Sequence, residues 1–206
     1  MAPFTVLTAV AAPLVRDNID TDAIIPSREI KSVAKSGLAA GLFAGWRYRE
    51  IGSREPDLAF VLNDPAYADA RILIGGVNFG CGSSREHAVW ALADFGFRAI
   101  IAKSFSPIFQ ANCVRNGVAP VELAADAVDA LARAVATDPA RRQVTVDLVA
   151  CTVAAPGTAA TPFSIDPQAR RMLLEALDPI DLTLELEPRI AAFRERDRQA
   201  RPWIYL

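Results

Sequence analysis

The densest chemistry in the chain lies in one string, Asn78-Phe-Gly-Cys-Gly-Ser-Ser-Arg-Glu-His87. It sets hydroxyls, a thiol, a guanidinium, a carboxylate and the single histidine close together among glycines. Gly75 and Gly80 have the spacing of the first half of a P-loop, but Cys81 and Gly82 stand where lysine and Ser/Thr must follow to reach the phosphates and magnesium. Gly80 and Gly82 open a dinucleotide fingerprint, yet Arg85 replaces the third glycine. The strand after it ends in Ala102-Lys103-Ser104, with no acid for a ribose hydroxyl. A nucleophile elbow fails at Glu86, and His87 lies one helical turn from Ser83, which is poor geometry for a triad.

What the string does offer is an anion site. A helix N-terminus presents unpaired N–H groups and the positive end of its dipole. Gly80 and Gly82 let backbone approach a ligand closely. Ser83 and Ser84 add hydroxyls, and Arg85 adds a planar fork that suits a carboxylate. The structural alternative is a capping box, Ser83 to Glu86 in S-x-x-E spacing, beside a surface arginine. A serine base here needs help. The helix terminus contributes up to ~2 kcal/mol, or about 1.5 pKa units, which is too little to ionise a hydroxyl. Arg85, further N–H donors and exclusion of water must add to it. An active serine therefore implies a closed cleft, and this chain alone shows no second wall.

Asp20-Thr21-Asp22 is the other polar cluster. It reads either as an Asx-type turn after the first strand or as a carboxylate and hydroxyl at the rim of the site. In the second reading the pair binds substrate hydroxyls or orients a partner's acid. His87 reads as a packed or hydrogen-bonded helix histidine. Cys81, at a helix N-terminus, is expected to have a lowered pKa, but without a nearby base it is not assigned as a nucleophile.

These groups need elements to position them. Residues 4–15 read as one strand, and residues 27–57 as a long loop with one short helix, of a length that tends to be functional. Arg71 to Gly75 is a buried strand leading into the glycine-rich turn. Ala88, Val89, Ala91, Leu92 and Phe95 recur at helical spacing, with the start expected at Ser83 or Ser84 and the end at Gly96. Phe97 to Ala102 is the next strand. Ser106-Pro107 opens another helix, Asn116-Gly117 ends it, and a short strand follows over Val118 to Val121. That alternation predicts an α/β fold with parallel pairing. Further on, 124–137 reads as helix, Val144 to Leu148 as a half-exposed strand, Asp166-Pro167 as the cap of a helix through Leu177, and 188–199 as a charged surface helix. The Pro-Trp-Ile-Tyr-Leu tail is apolar enough to be expected to dock. The expectation is one domain over residues 1–206 with a C-terminal helical extension.

Composition bounds the function. The chain has 206 residues, 52% hydrophobic and 22% charged, with a formal net charge of −2. Disorder and a dedicated nucleic-acid binder are thereby disfavoured. Three scattered cysteines and one histidine form neither a disulfide framework nor a zinc motif, so no metal site is expected here. No apolar run reaches the ~18 residues of a membrane span. Met1 to Val15 lacks a basic residue and is interrupted by Pro13, so a signal peptide is not expected and the expected compartment is the cytoplasm.

Asp20-Thr-Asp-Ala-Ile-Ile-Pro26, Asn78 to Ala88 with Trp90-Ala-Leu92, Ile108 to Gly117, Ile180 to Leu184 and Arg201-Pro-Trp203 together resemble the small subunits of 3-isopropylmalate dehydratases, members of the aconitase superfamily. The likeness covers essentially the whole chain in order. It implies a three-layer β/β/α "swivel" domain that pairs, as a heterodimer, with a large subunit carrying a [4Fe–4S] cluster. The pair interconverts 2- and 3-isopropylmalate through isopropylmaleate in leucine biosynthesis. The resemblance makes Ser83 the catalytic base, Ser84 and Arg85 binders of substrate carboxylate, and Thr21 and Asp22 the pair near the partner's acid–base group. It also fits the missing wall: loss of hydroxide from saturated carbon calls for a Lewis acid, and this chain has no ligands for one. Val89 stands where the family commonly has proline, and Ser27-Arg28 where it has a Lys-Gln-like pair. The loop from Ser27 to Phe43 is expected to recognise the substrate side chain. The alternatives are a paralogous hydratase for another alkyl-substituted malate and a stand-alone carboxylate-binding module.

Overall fold

The apolar run expected as one strand over 4–15 is two strands in two sheets, β1 (Val6–Ala9) and β2 (Ala11–Pro13). Up to Ala9 the chain pairs antiparallel, with Ala9 opposite Val144; from Ala11 it pairs in parallel, with Ala11 opposite Ile72. Val10 is the pivot, its carbonyl accepting from the amides of Arg71 and Ile72. A change of hydrogen-bonding partner leaves the side-chain pattern untouched, so the run looks continuous. The structure is a computed structural model that describes residues 2–31 and 34–205.

The remaining strands are β3 (Ile72–Ile74), β4 (Ala99–Ala102), β5 (Ala119–Glu122), β6 (Val144–Asp147), β7 (Thr152–Ala154) and β8 (Thr161–Pro162). Among the described residues they form two four-stranded sheets, ordered β1-β6-β7-β8 and β2-β3-β4-β5. The second is parallel throughout. Its central strands β3 and β4 are buried at every position, as expected for a sheet covered on both faces. The first is antiparallel, and β6 alternates between buried and half-buried positions, one face in and one out.

The helices are α1 (Thr21–Ile24), α2 (Ala44–Arg47), α3 (Glu86–Phe95), α4 (Pro107–Arg115), α5 (Ala125–Ala136), α6 (Pro167–Glu175), α7 (Pro179–Leu184) and α8 (Glu187–Ala200). α3 and α4 are the crossovers of the parallel sheet, and α5 packs its Val128, Leu131 and Val135 stripe against β2. Two sheets and a helical layer give the expected α/β, three-layer β/β/α arrangement. Residues 32 and 33 of the proposed recognition loop lie outside the described residues.

The chain forms two compact units, Met1–Ala176, which holds both sheets, and Leu177–Leu206, which holds α7 and α8. Asp178 begins α7 with a full capping box, its side chain accepting from the Asp181 amide at 2.8 Å. In the second unit Trp203 is 66% exposed. The Tyr205 hydroxyl donates to Asp197 Oδ2 at 2.7 Å.

Three loops leave the carboxyl ends of parallel strands on the same edge: 14–20 after β2, 75–85 after β3 and 103–106 after β4. This edge is where open parallel sheets bind ligands.

Candidate active site

The loop after β3 is bound to the loop after β2 over several residues. The Asn18 amide donates to Val77 O and the Gly80 amide to Ile19 O, both at 2.8 Å. Asp20 and Cys81 form a parallel bridge, with the Thr21 amide donating to Cys81 O at 2.9 Å. Asp20 makes the turn expected of it, its Oδ1 accepting from the Ala23 amide at 2.6 Å and capping α1. Gly80 has φ +76°, and a Cβ there would lie 2.1 Å from the Phe109 ring. Only glycine lets the loop turn this close to α4.

The expected capping box of Ser83 and Glu86 is not formed. α3 starts at Glu86, with Arg85 extended at its N-cap (φ −113°, ψ 103°) and no side chain capping it. The competing interaction is with the neighbouring loop: Thr21 Oγ1 donates to the Ser83 carbonyl at 2.8 Å, and Gly82 turns the chain at φ +86°. Ser83 is thus held out of the helix by a contact between distant segments. The end of α3 is as expected, with Gly96 in the left-handed region.

Ser83 and Ser84 are exposed, and Arg85 is half-buried between them and α1. Arg85 Nη1 forms an ion pair with Asp22 Oδ1, and the Ser27 hydroxyl also donates to that oxygen, at 3.4 Å. Thr21 is 2% exposed, so its hydroxyl is committed to the Ser83 carbonyl rather than offered to a ligand. The site residues expected from sequence are therefore brought together: Ser83, Ser84 and Arg85 at the rim, Asp22 against the guanidinium, and Thr21 beneath.

Beneath the rim is a cavity of about 10 Å³ that reaches Thr21, Ser83, Ser84 and Arg85 on one side and Ser106 and Asn112 on the other. It has room for about one oxygen-sized group. A dicarboxylic acid is too large for this cavity. A hollow of about 560 Å³ beside α4 and α6 is larger, but its one carboxylate, Asp166, is occupied in capping α6.

Ser106 and Asn112 were not legible as site residues. Ser106 is the N-cap of α4 as expected, yet its side chain makes no capping bond. Asn112 gives one signal in the sequence, a polar residue three positions after Phe109 on the face of α4 that packs inward.

Burial and the charge of Asp20 push the Cys81 thiol up, not down as expected from a helix terminus, because that terminus lies at Glu86. Burial also pushes Cys113 well up. His87 packs against Trp90, with ring centroids 4.6 Å apart. Among the described residues no group of three His, Cys, Asp or Glu side chains is placed to hold a metal, and no helix is long and apolar enough to cross a membrane.

A Ser-Ser-Arg loop at the carboxyl edge of a parallel sheet, tied to a Thr-Asp turn, marks a class of protein. The family model of the aconitase C-terminal domain matches residues 1–126, which include all of these groups. Over the full length the likeness is narrower. The 3-isopropylmalate dehydratase small subunit of Cupriavidus necator is 59% identical over 205 residues, covering 100% of this chain and 99% of that protein. That of Rhodospirillum centenum is 49% identical, covering 98% of each. The crystal structure of 3-isopropylmalate dehydratase from Methanocaldococcus jannaschii matches with a TM-score of 0.64 at 25% identity, over 92% of this chain and 99% of that one. The chain belongs to the family of 3-isopropylmalate dehydratase small subunits.

Proposed function

We propose that this chain is the small subunit of a hydro-lyase that isomerises 2- and 3-isopropylmalate by removing and re-adding water. In this reading it supplies the proton acceptor and the carboxylate clamp. The carrying observation is a rim of exposed Ser83 and Ser84 with half-buried Arg85 over a cavity too small to enclose a substrate, in a chain 59% identical over 205 residues to a named small subunit. A rim of this kind is half of a cleft.

Dehydration removes a proton from one carbon and hydroxide from its neighbour. Ser83 Oγ, ionised to the alkoxide, accepts the carbon-bound proton to become the neutral hydroxyl, and returns that proton during hydration of the isopropylmaleate double bond. Arg85 and the Ser84 hydroxyl hold a substrate carboxylate by charge-assisted hydrogen bonds. Asp22, paired with one nitrogen of Arg85, orients the fork so that its other N–H groups face the ligand. The acceptor is the Ser83 alkoxide: while the hydroxyl faces water its ionisation is too costly, and Arg85 lowers that cost once a second wall excludes solvent.

That wall is a large subunit, in a heterodimer, and we place the [4Fe–4S] cluster there. The described residues of this chain do not gather a ligand set for it. When bound it supplies the Lewis acid for the departing hydroxide. The three cysteines are free thiols, which suits a reducing cytoplasm. The loop from Ser27 to Phe43 is assigned to recognition of the isopropyl group.

The test is Ser83→Ala in the reconstituted complex. The expected result is a loss of kcat on the order of 10²–10⁴-fold, with KM changed little. Full activity in this variant removes the assigned base.

A further inference from the structure

Asn112 is 7% exposed, and its carboxamide makes no hydrogen bond to any described residue; its backbone carbonyl is engaged by the Asn116 amide and side chain. Among the described residues no fully buried polar side-chain atom lacks a partner. The amide of Asn112 must therefore keep its contact with the cavity beneath the rim, which it lines. A buried amide left open in this way costs stability unless a ligand or water completes it. The unengaged Ser106 hydroxyl lines the same cavity, and no acidic side chain does. A cavity that admits one oxygen and is ringed by neutral donors and one guanidinium suits a carboxylate oxygen.

We propose that Asn112 is a substrate-binding residue, its side-chain N–H donating to an oxygen of the carboxylate that Arg85 clamps. The inference rests on the reading of the rim as a dicarboxylate site. It adds a floor to that site, contributed by α4 rather than by the Ser83 loop.

The experiment uses the complex with the large subunit and two variants. Asn112→Asp keeps the size but replaces the donor with a negative charge; Asn112→Ser keeps a neutral, smaller side chain. Steady-state kinetics with isopropylmalate is paired with calorimetric titration of maleate, a dicarboxylate probe. For Asn112→Asp, KM and the maleate Kd are expected to rise about tenfold or more, the effect of one lost hydrogen bond to a charged group. For Asn112→Ser a smaller rise is expected. In both, KM rises more than kcat falls, and the thermal midpoint of the Ser variant stays near wild type. Unchanged maleate affinity in the Ser variant overturns the proposal, as does a loss of affinity that only tracks a loss of thermal stability. A wild-type complex that binds maleate but does not turn over isopropylmalate removes the functional reading, and the comparison of maleate affinities still decides the role of Asn112.

Discussion

Thr21 belongs to the site without facing a ligand. Its hydroxyl holds the Ser83 carbonyl at 2.8 Å across 62 positions of sequence. Thr21→Val removes the donor at nearly constant shape. It is expected to cost about 1 kcal/mol of stability and to lower kcat of the complex more than it raises KM, because the base shifts while the clamp stays. Equal kcat would show that Ser83 is placed by something else. Arg85→Lys loses the forked geometry and is expected to raise KM on the order of tenfold; an unchanged KM contradicts the clamp. The thiols give a test by pH. Burial and Asp20 raise the Cys81 pKa, so the thiolate fraction at neutral pH is small, and alkylation by iodoacetamide is expected to be slow and to quicken as pH rises. Cys113 is expected to react only on unfolding. Rapid labelling of Cys81 at pH 7 contradicts this assignment. Ser83, Ser84, Arg85 and Asp22 could be picked out of the sequence as candidates because their types are unusual together. The part played by Thr21, and the direction of the Cys81 shift, depend on which distant segment lies alongside.

At the scale of elements, helical spacing located α3 because burial imposes a repeat that side chains record, cap and turn residues bounded α4, Ala-rich composition marked α5, and short apolar runs marked the buried strands of the parallel sheet. None of these signals located the switch at Val10, where only the backbone partner changes. The sequence also placed the start of α3 at the serines, since S-x-x-E is a local signal, and a tertiary hydrogen bond from Thr21 overrides it. Gly80 ties loop to helix. Gly80→Ala puts a Cβ 2.1 Å from a ring atom of buried Phe109 at φ +76°, and is expected to destabilise the chain by about 2–4 kcal/mol. Gly157 has a similar φ of +80° with no atom within 4 Å of an added Cβ. Gly157→Ala then carries the conformational cost alone, about 1–2 kcal/mol. Urea unfolding of the two variants separates clash from strain, and equal losses contradict the close approach of Phe109.

For the molecule as a whole, the Ser83-Ser84-Arg85 rim opens on a cavity of about 10 Å³, and no metal-ligand group is found among the described residues. Composition, a single histidine and the lone Ser-Ser-Arg loop already pointed to an incomplete centre, whereas the size of the cavity needed coordinates. The most direct measurement is isopropylmalate turnover by the purified chain alone, by an iron-loaded large subunit alone, and by the two mixed without oxygen. The account predicts no turnover from either alone and activity that saturates at one small chain per large chain. Turnover by this chain alone, free of metal, would contradict it.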